Sequence, residues 1–182
     1  NPNDEKGFLM KSVSLLCLMF CILSICKFSD AQQLSGFVSA DTTLTADLSP
    51  WEITGDVIVR DGATLTIEPA CTLFFHESAG IKVETDAKMV ALGSADHRII
   101  MTRRPGTDDR WDGIEFDGTR KENMLSFVDI LHGDRQSQVI DVHRARVVLD
   151  HLTWDSQNRI IVELYHPQAI IQHCTFPSVD EV

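Results

Sequence analysis

The sequence predicts an all-β chain wound as a right-handed, single-stranded parallel β-helix of about five coils, with an amino-terminal cap. Three observations predict it. Short apolar triplets return in the same order five times. Each triplet mostly reads apolar–variable–apolar, which is the alternation of a strand. No segment shows sustained helical periodicity with caps.

The triplets form three series. The first is Val57-Ile58-Val59, Ile81-Lys82-Val83, Ile114-Glu115-Phe116, Ile140-Asp141-Val142 and Val162-Glu163-Leu164. The second is Leu65-Thr66-Ile67, Met89-Val90-Ala91, Leu125-Ser126-Phe127, Val147-Val148-Leu149 and Ala169-Ile170-Ile171. The third is Leu73-Phe74-Phe75, Ile99-Ile100-Met101, Ile130-Leu131-His132, Leu152-Thr153-Trp154 and Cys174-Thr175-Phe176. Three residues are too few for independent strands in an open sheet. They suffice if each coil stacks on the last, so that every triplet pairs in parallel with its copy about 4.8 Å away. The outer two residues of a triplet then face the core and the middle one faces out. Phe74, Phe75, Phe116, Phe127, Trp154 and Phe176 are expected in core stacks.

The steps of the first series are 24, 33, 26 and 22 residues. The long step has a visible cause in residues 103–110, Arg-Arg-Pro-Gly-Thr-Asp-Asp-Arg, which read as a protruding polar loop. Gly62, Gly80, Gly93 and Gly113 are expected at corners. A sandwich of antiparallel strands is the competing architecture. The absence of the hairpin dipeptide Asn-Gly argues against it.

Domain organisation follows from the chain's start. After Met10 come Lys11, an apolar run from Val13 to Ile25, and Ser29-Asp30-Ala31. A basic start, a short apolar core and small residues before a cut describe a secretory signal peptide. The run is short for a membrane span, which needs about 20 residues. Residues 1–31 are therefore assigned to upstream sequence and signal, 32–56 to the cap, and 57–182 to a β-helix read as truncated at its carboxyl end. Leu44, Leu48, Trp51 and Ile53 are expected to cover the first coil, with Pro50 setting the corner.

Residues 1–31 hold equal numbers of basic and acidic residues, so the net charge of −11 falls on the remainder. Such a surface argues against nucleic acid and anionic membranes as partners. Cys71 and Cys174 are the cysteines outside the signal. They lie on coils one and five, too far apart for a disulfide. The core itself must hold the fold.

Several phrases resemble a known family. Ser49-Pro50-Trp51-Glu52-Ile53-Thr54-Gly55-Asp56-Val57 precedes Asp61-Gly62-Ala63-Thr64-Leu65-Thr66-Ile67-Glu68-Pro69. Leu92-Gly93-Ser94, Arg98-Ile99-Ile100-Met101-Thr102 and Trp111-Asp112-Gly113-Ile114-Glu115-Phe116 follow. The wording is similar to the opening coils of secreted right-handed parallel β-helix repeat proteins. Among animal proteins it most resembles the bark beetle family, large proteins of epithelial tricellular junctions. Trp51 stands where Tyr is usual and Ala70 where Gly is usual. The resemblance covers residues 36–133 and implies an extracellular, junctional setting.

Three sets of residues bear on chemistry. The outward column Lys82, Glu115, Asp141, Glu163 stacks carboxylates that repel unless a cation lies between them. In polysaccharide lyases of this fold, calcium and substrate bind on such a face. The ordinary reading, a solvated acidic stripe, is preferred. The column Asp129, His151, His173 offers metal-ligand residue types on adjacent coils but no convincing fourth ligand. His132-Gly133-Asp134 resembles the His-Gly of pectin-cleaving hydrolases without their companion motifs. No catalytic set, no resident metal and no cofactor are expected. The reading is a structural or adhesive extracellular module that is not an enzyme and that meets a protein or glycan partner. Any membrane contact would come through segments beyond this sequence. A carbohydrate-binding or carbohydrate-active β-helix is the alternative. The open far end of the solenoid is expected to promote aggregation.

Overall fold

The computed structural model describes residues 31–133, 138–155 and 160–177. The signal assignment over residues 1–30 and Asp134 of the His-Gly-Asp motif lie outside them. Among the described residues no helix is long and apolar enough to cross a membrane.

Sixteen strands follow one another among the described residues. They are β1 (Gln32–Val38), β2 (Thr42–Leu44), β3 (Trp51–Val59), β4 (Thr64–Ile67), β5 (Thr72–Phe75), β6 (Gly80–Val83), β7 (Lys88–Leu92) and β8 (Ile99–Arg103). Then come β9 (Gly113–Asp117), β10 (Glu122–Ser126), β11 (Val128–Ile130), β12 (Gln138–His143), β13 (Arg146–Asp150), β14 (Thr153–Trp154), β15 (Ile160–Tyr165) and β16 (Gln168–Gln172). The strand pairings are parallel, and each joins residues roughly one coil apart. One stack runs β2-β4-β7-β10-β13-β16. A second runs β3-β6-β9-β12-β15 and a third β3-β5-β8-β11-β14. The latter two merge because β3 serves both: Trp51–Ile53 pair with Leu73–Phe75, and Val57–Val59 pair with Ile81–Val83. The parallel β-helix is therefore the observed fold, and Ile140 lies opposite Val162 as stacking requires.

Alternation fixes what is inside. Strand β4 buries Leu65 and Ile67 and turns Thr64 and Thr66 outward. Strand β5 buries Leu73 and Phe75 and turns Thr72 and Phe74 outward. The inward residues form one continuous apolar core from Val38 to Trp154. Removing such side chains from water supplies the main stabilisation, at about 25 cal/mol per Å² of apolar surface.

The segment 32–56 covers the first coil by being a turn of the same solenoid. Strand β1 pairs with β3, and β2 pairs with β4. Leu44, Trp51 and Ile53 are buried there, whereas Leu48, expected to help, is exposed in a 3₁₀ turn at Ala46–Leu48.

Two register expectations need correction. In the second series Asn123, not Leu125, stands opposite Val147, and Leu125 stands opposite Leu149. In the third series Leu73 stands opposite Met101, and Val128 opposite Ile99. Both errors are shifts of two residues. A strand's faces repeat every two residues, so such a shift leaves the apolar pattern intact and invisible. The aromatic expectation needs the same treatment. Phe75, Phe116 and Trp154 are buried, but Phe74 points outward, Phe127 sits at a corner, and Phe176 is exposed.

The polar loop between β8 and β9 delivers Trp111 to the core. Its ring stacks on Phe75 with centroids 4.0 Å apart, and its indole N–H donates to the Leu131 carbonyl at 2.9 Å. Gly113, expected at a corner, begins β9 at φ +87°, where an added Cβ would lie 2.4 Å from the Val139 carbonyl oxygen. Only glycine fits there.

Candidate functional site

The first-series strands place their middle residues in a row. Lys82 lies opposite Glu115, Glu115 opposite Asp141, and Asp141 opposite Glu163. The column read from the sequence therefore exists as one face of β6, β9, β12 and β15. Lys82 Nζ donates to Glu115 Oε1 at 2.9 Å and lies 3.5 Å from Asp117 Oδ2. The Glu115 hydrogen bond holds the ammonium above the usual lysine range, against an opposing push from partial burial. Asp141 has no cation of its own in the row. Burial first, then the charges of Glu115 and Glu163, push its carboxyl up from the ordinary aspartate value. An open groove of about 200 Å³ runs along this face, bordered by Asp56, Lys82, Asp112, Glu115, Gln138 and Asp141.

Two residues further along the same strands is a second outward row that sequence reasoning missed. Asp117 lies opposite His143, and His143 opposite Tyr165. His143 Nδ1 is 3.4 Å from Asp117 Oδ1, and the imidazole stacks on Tyr165 at 4.6 Å between centroids. The signal was available: adding two to each number of the acidic column yields this row.

The column Asp129, His151, His173 does not form. Asp129 lies opposite Thr153 and is held by Arg98, whose Nε and Nη2 donate to Asp129 Oδ1 at 2.9 and 2.7 Å. The same guanidinium donates to the His151 carbonyl at 3.0 Å and to Thr153 Oγ1 at 3.2 Å. Arg98 therefore ties three coils together. The reason for the misplacement is coil length. A step of 22 residues was assumed, but Asn123 to Val147, opposite one another, is a step of 24.

His151 and His173 do meet, at the corner that follows β13 and β16. Their rings are 4.6 Å apart with a 31° tilt, and Phe127 stacks beneath His151 at 4.3 Å. Their carboxylate partner is Asp150, which sequence reasoning passed over. His151 Nδ1 and His173 Nδ1 lie 2.8 and 2.9 Å from Asp150 Oδ1. The His173 contact, reinforced by His151, holds the Asp150 carboxyl below its ordinary value. Phe127, His151 and His173 each adopt a left-handed φ near +50°, which marks them as equivalent corner positions.

The His-Gly motif is structural in its glycine. A Cβ on Gly133 would lie 3.0 Å from the Trp111 ring. His132 turns the chain at φ +58°; its N–H donates to Asp155 Oδ1 at 2.8 Å, and its Nδ1 lies 3.1 Å from Thr102 Oγ1. Cys71 and Cys174 are both free. Cys71 is buried, and that burial pushes its thiol up, away from reactivity.

The family of pectate-lyase-like beta helix domains matches residues 36–141. The match spans more than half of the chain, and the chain belongs to that family. No curated protein and no solved structure matches it significantly.

Proposed function

We propose that this β-helix is an extracellular structural and adhesive module, used in epithelial cell–cell junctions or matrix contact, rather than an enzyme. The observation that carries the reading is where its polar side chains go. Lys82 pairs with Glu115 and Asp117, Arg98 with Asp129, and Arg146 with Glu122, each across coils. These charges hold neighbouring coils in register. Lys82 is moreover kept protonated, so the groove's cation is a poor general base. The acidic column suits a divalent cation or a basic partner surface, and the rigid stack keeps its carboxylates at fixed spacing.

A carbohydrate-binding or carbohydrate-active β-helix is the second reading. It is favoured by family membership and by the Asp117–His143 pair beside the groove, a carboxylate-oriented imidazole of the sort used in proton transfer.

A panel of acidic polysaccharides, offered with and without calcium, separates the two. The adhesive reading expects no new chain ends. Cleavage that disappears in His143→Ala would replace it with the enzymatic reading. Saturable binding without cleavage would identify a glycan-binding module. Clustering of cells or beads coated with the protein, abolished by charge reversal of Asp141 and Glu163, is the positive result expected.

A further inference from the structure

We infer that Asp150, His151 and His173 form a binding site for a zinc-type transition-metal ion at the corner of the last two coils. The cluster stands apart from the groove face, and nothing in the proposed function uses it. One ligand atom from each of the three residues lies within 4.8 Å of the other two. Both Nδ1 atoms converge on a single carboxylate oxygen, at 2.8 and 2.9 Å. Those are hydrogen-bond separations; metal bonds of about 2.0–2.2 Å in a tetrahedral site set adjacent ligands about 3.3–3.6 Å apart, which a shift of about 0.5 Å in each ring supplies.

The corner fixes this arrangement from below. Both histidines hold the left-handed backbone at φ +53°, so their side chains leave successive coils in the same direction. Phe127 supports the His151 ring, and Arg98 anchors the His151 carbonyl. The imidazoles lie 4.6 Å apart between centroids and are tilted by 31° from parallel. Two imidazoles and one carboxylate suit Zn²⁺, and by the same donor logic Cu²⁺ or Ni²⁺. They do not suit Ca²⁺ or Mg²⁺, which prefer all-oxygen shells. His173 is well exposed, so the remaining coordination positions open to water. An ion here would bond one coil to the next and so stabilise their pairing.

The test uses the purified chain, stripped of metal and titrated with Zn²⁺ by calorimetry. One-to-one saturable binding is expected. His151→Asn and His173→Asn should each weaken it at least about tenfold, and His97→Asn should leave it unchanged. Asparagine tolerates the left-handed backbone, which guards against simple unfolding. In the unsubstituted chain, Zn²⁺ should shift the imidazole nitrogen resonances of His151 and His173 and of no other histidine. Absence of Zn²⁺ binding, binding indifferent to both substitutions, or shifts at other histidines would overturn the site.

Discussion

The first and last described coils carry the same repeat but differ in what they show to solvent. At the amino end, β1 offers Gln32, Gln33, Ser35 and Gly36 beside Phe37, whose exposed ring lies against the Arg60 guanidinium, and Leu44 in the adjoining turn is wholly buried. At the carboxyl end, β15 and β16 offer Leu164, Tyr165, Ile170 and Ile171, all exposed. Column by column the contrast is sharper. Val59, Val83, Phe116 and Val142 are 0 % exposed, while Leu164 in the same column is 43 % exposed. Leu125 and Leu149 are 0 % exposed, while Ile171 beyond them is 37 % exposed. Burial is thus conferred by the next coil and not by the triplet itself, as expected of a stack in which each repeat touches only its neighbours.

The largest effect should come from the interior. Trp111→Ala removes a ring stacked on Phe75 and orphans the Leu131 carbonyl, at a cost of about 3–5 kcal/mol. Denaturant unfolding would show it as a fall in midpoint, and an unchanged midpoint would mean that the loop does not hold the core. The matched pair comes next. Leu149→Ala should cost about 2–5 kcal/mol. Ile171→Ala, in the same column but half open to water, should cost no more than about 1 kcal/mol, because little buried surface is lost. Equal costs would refute the contrast between middle and end.

Asn123→Leu probes the polar interior. Asn123 is fully buried, accepts from the Met89 N–H at 2.8 Å and donates to the Lys121 and Arg146 carbonyls at 3.0 and 2.9 Å. Leucine keeps the volume but strands those groups, costing about 1–3 kcal/mol. Thermal unfolding should report a lower midpoint despite the more apolar core.

A smaller effect concerns the acidic column. The raised Asp141 carboxyl means that the fold favours the protonated form. That contribution is complete below the unfolded aspartate value and is lost as pH rises through the folded one. Asp141→Asn should therefore stabilise the protein at neutral pH by about 0.2–1 kcal/mol, the scale of a cross-strand charge pair. The gain should vanish in acid below the ordinary value of 3.8, and stability measured across pH would expose the opposite trend if the column is not strained. The smallest change in stability, within about 0.5 kcal/mol, is expected for Ile170→Lys at the exposed end. Its readout is association: gel filtration should show less concentration-dependent self-assembly than in the parent chain.

Much of this was legible beforehand. The first-series triplets are separated by clear turns, so the Lys82–Glu115–Asp141–Glu163 row followed directly from counting. The third coil was less legible. Between Asp117 and Val128 the chain offers Asn123, Leu125 and Phe127 at alternate positions, and an apolar rule aligns Leu125 or Phe127, but not Asn123, with Val147. The solution adopted buries an asparagine, which no hydrophobic pattern selects, and sends the phenylalanine to a left-handed corner. Placing Asp129 beside His151 instead of Phe127 was the same two-residue slip.

The sequence by itself determined the stacking of parallel coils, the face that each first-series side chain takes, and the acidity of one sheet. Those depend on local alternation and on repeat order, which a linear reading preserves. Only the tertiary structure decided the register of the third coil, the entry of Trp111 into the core, and the meeting of Asp150 with two histidines. Those depend on which backbone hydrogen bonds close between coils, and a period-two pattern is blind to shifts of two residues.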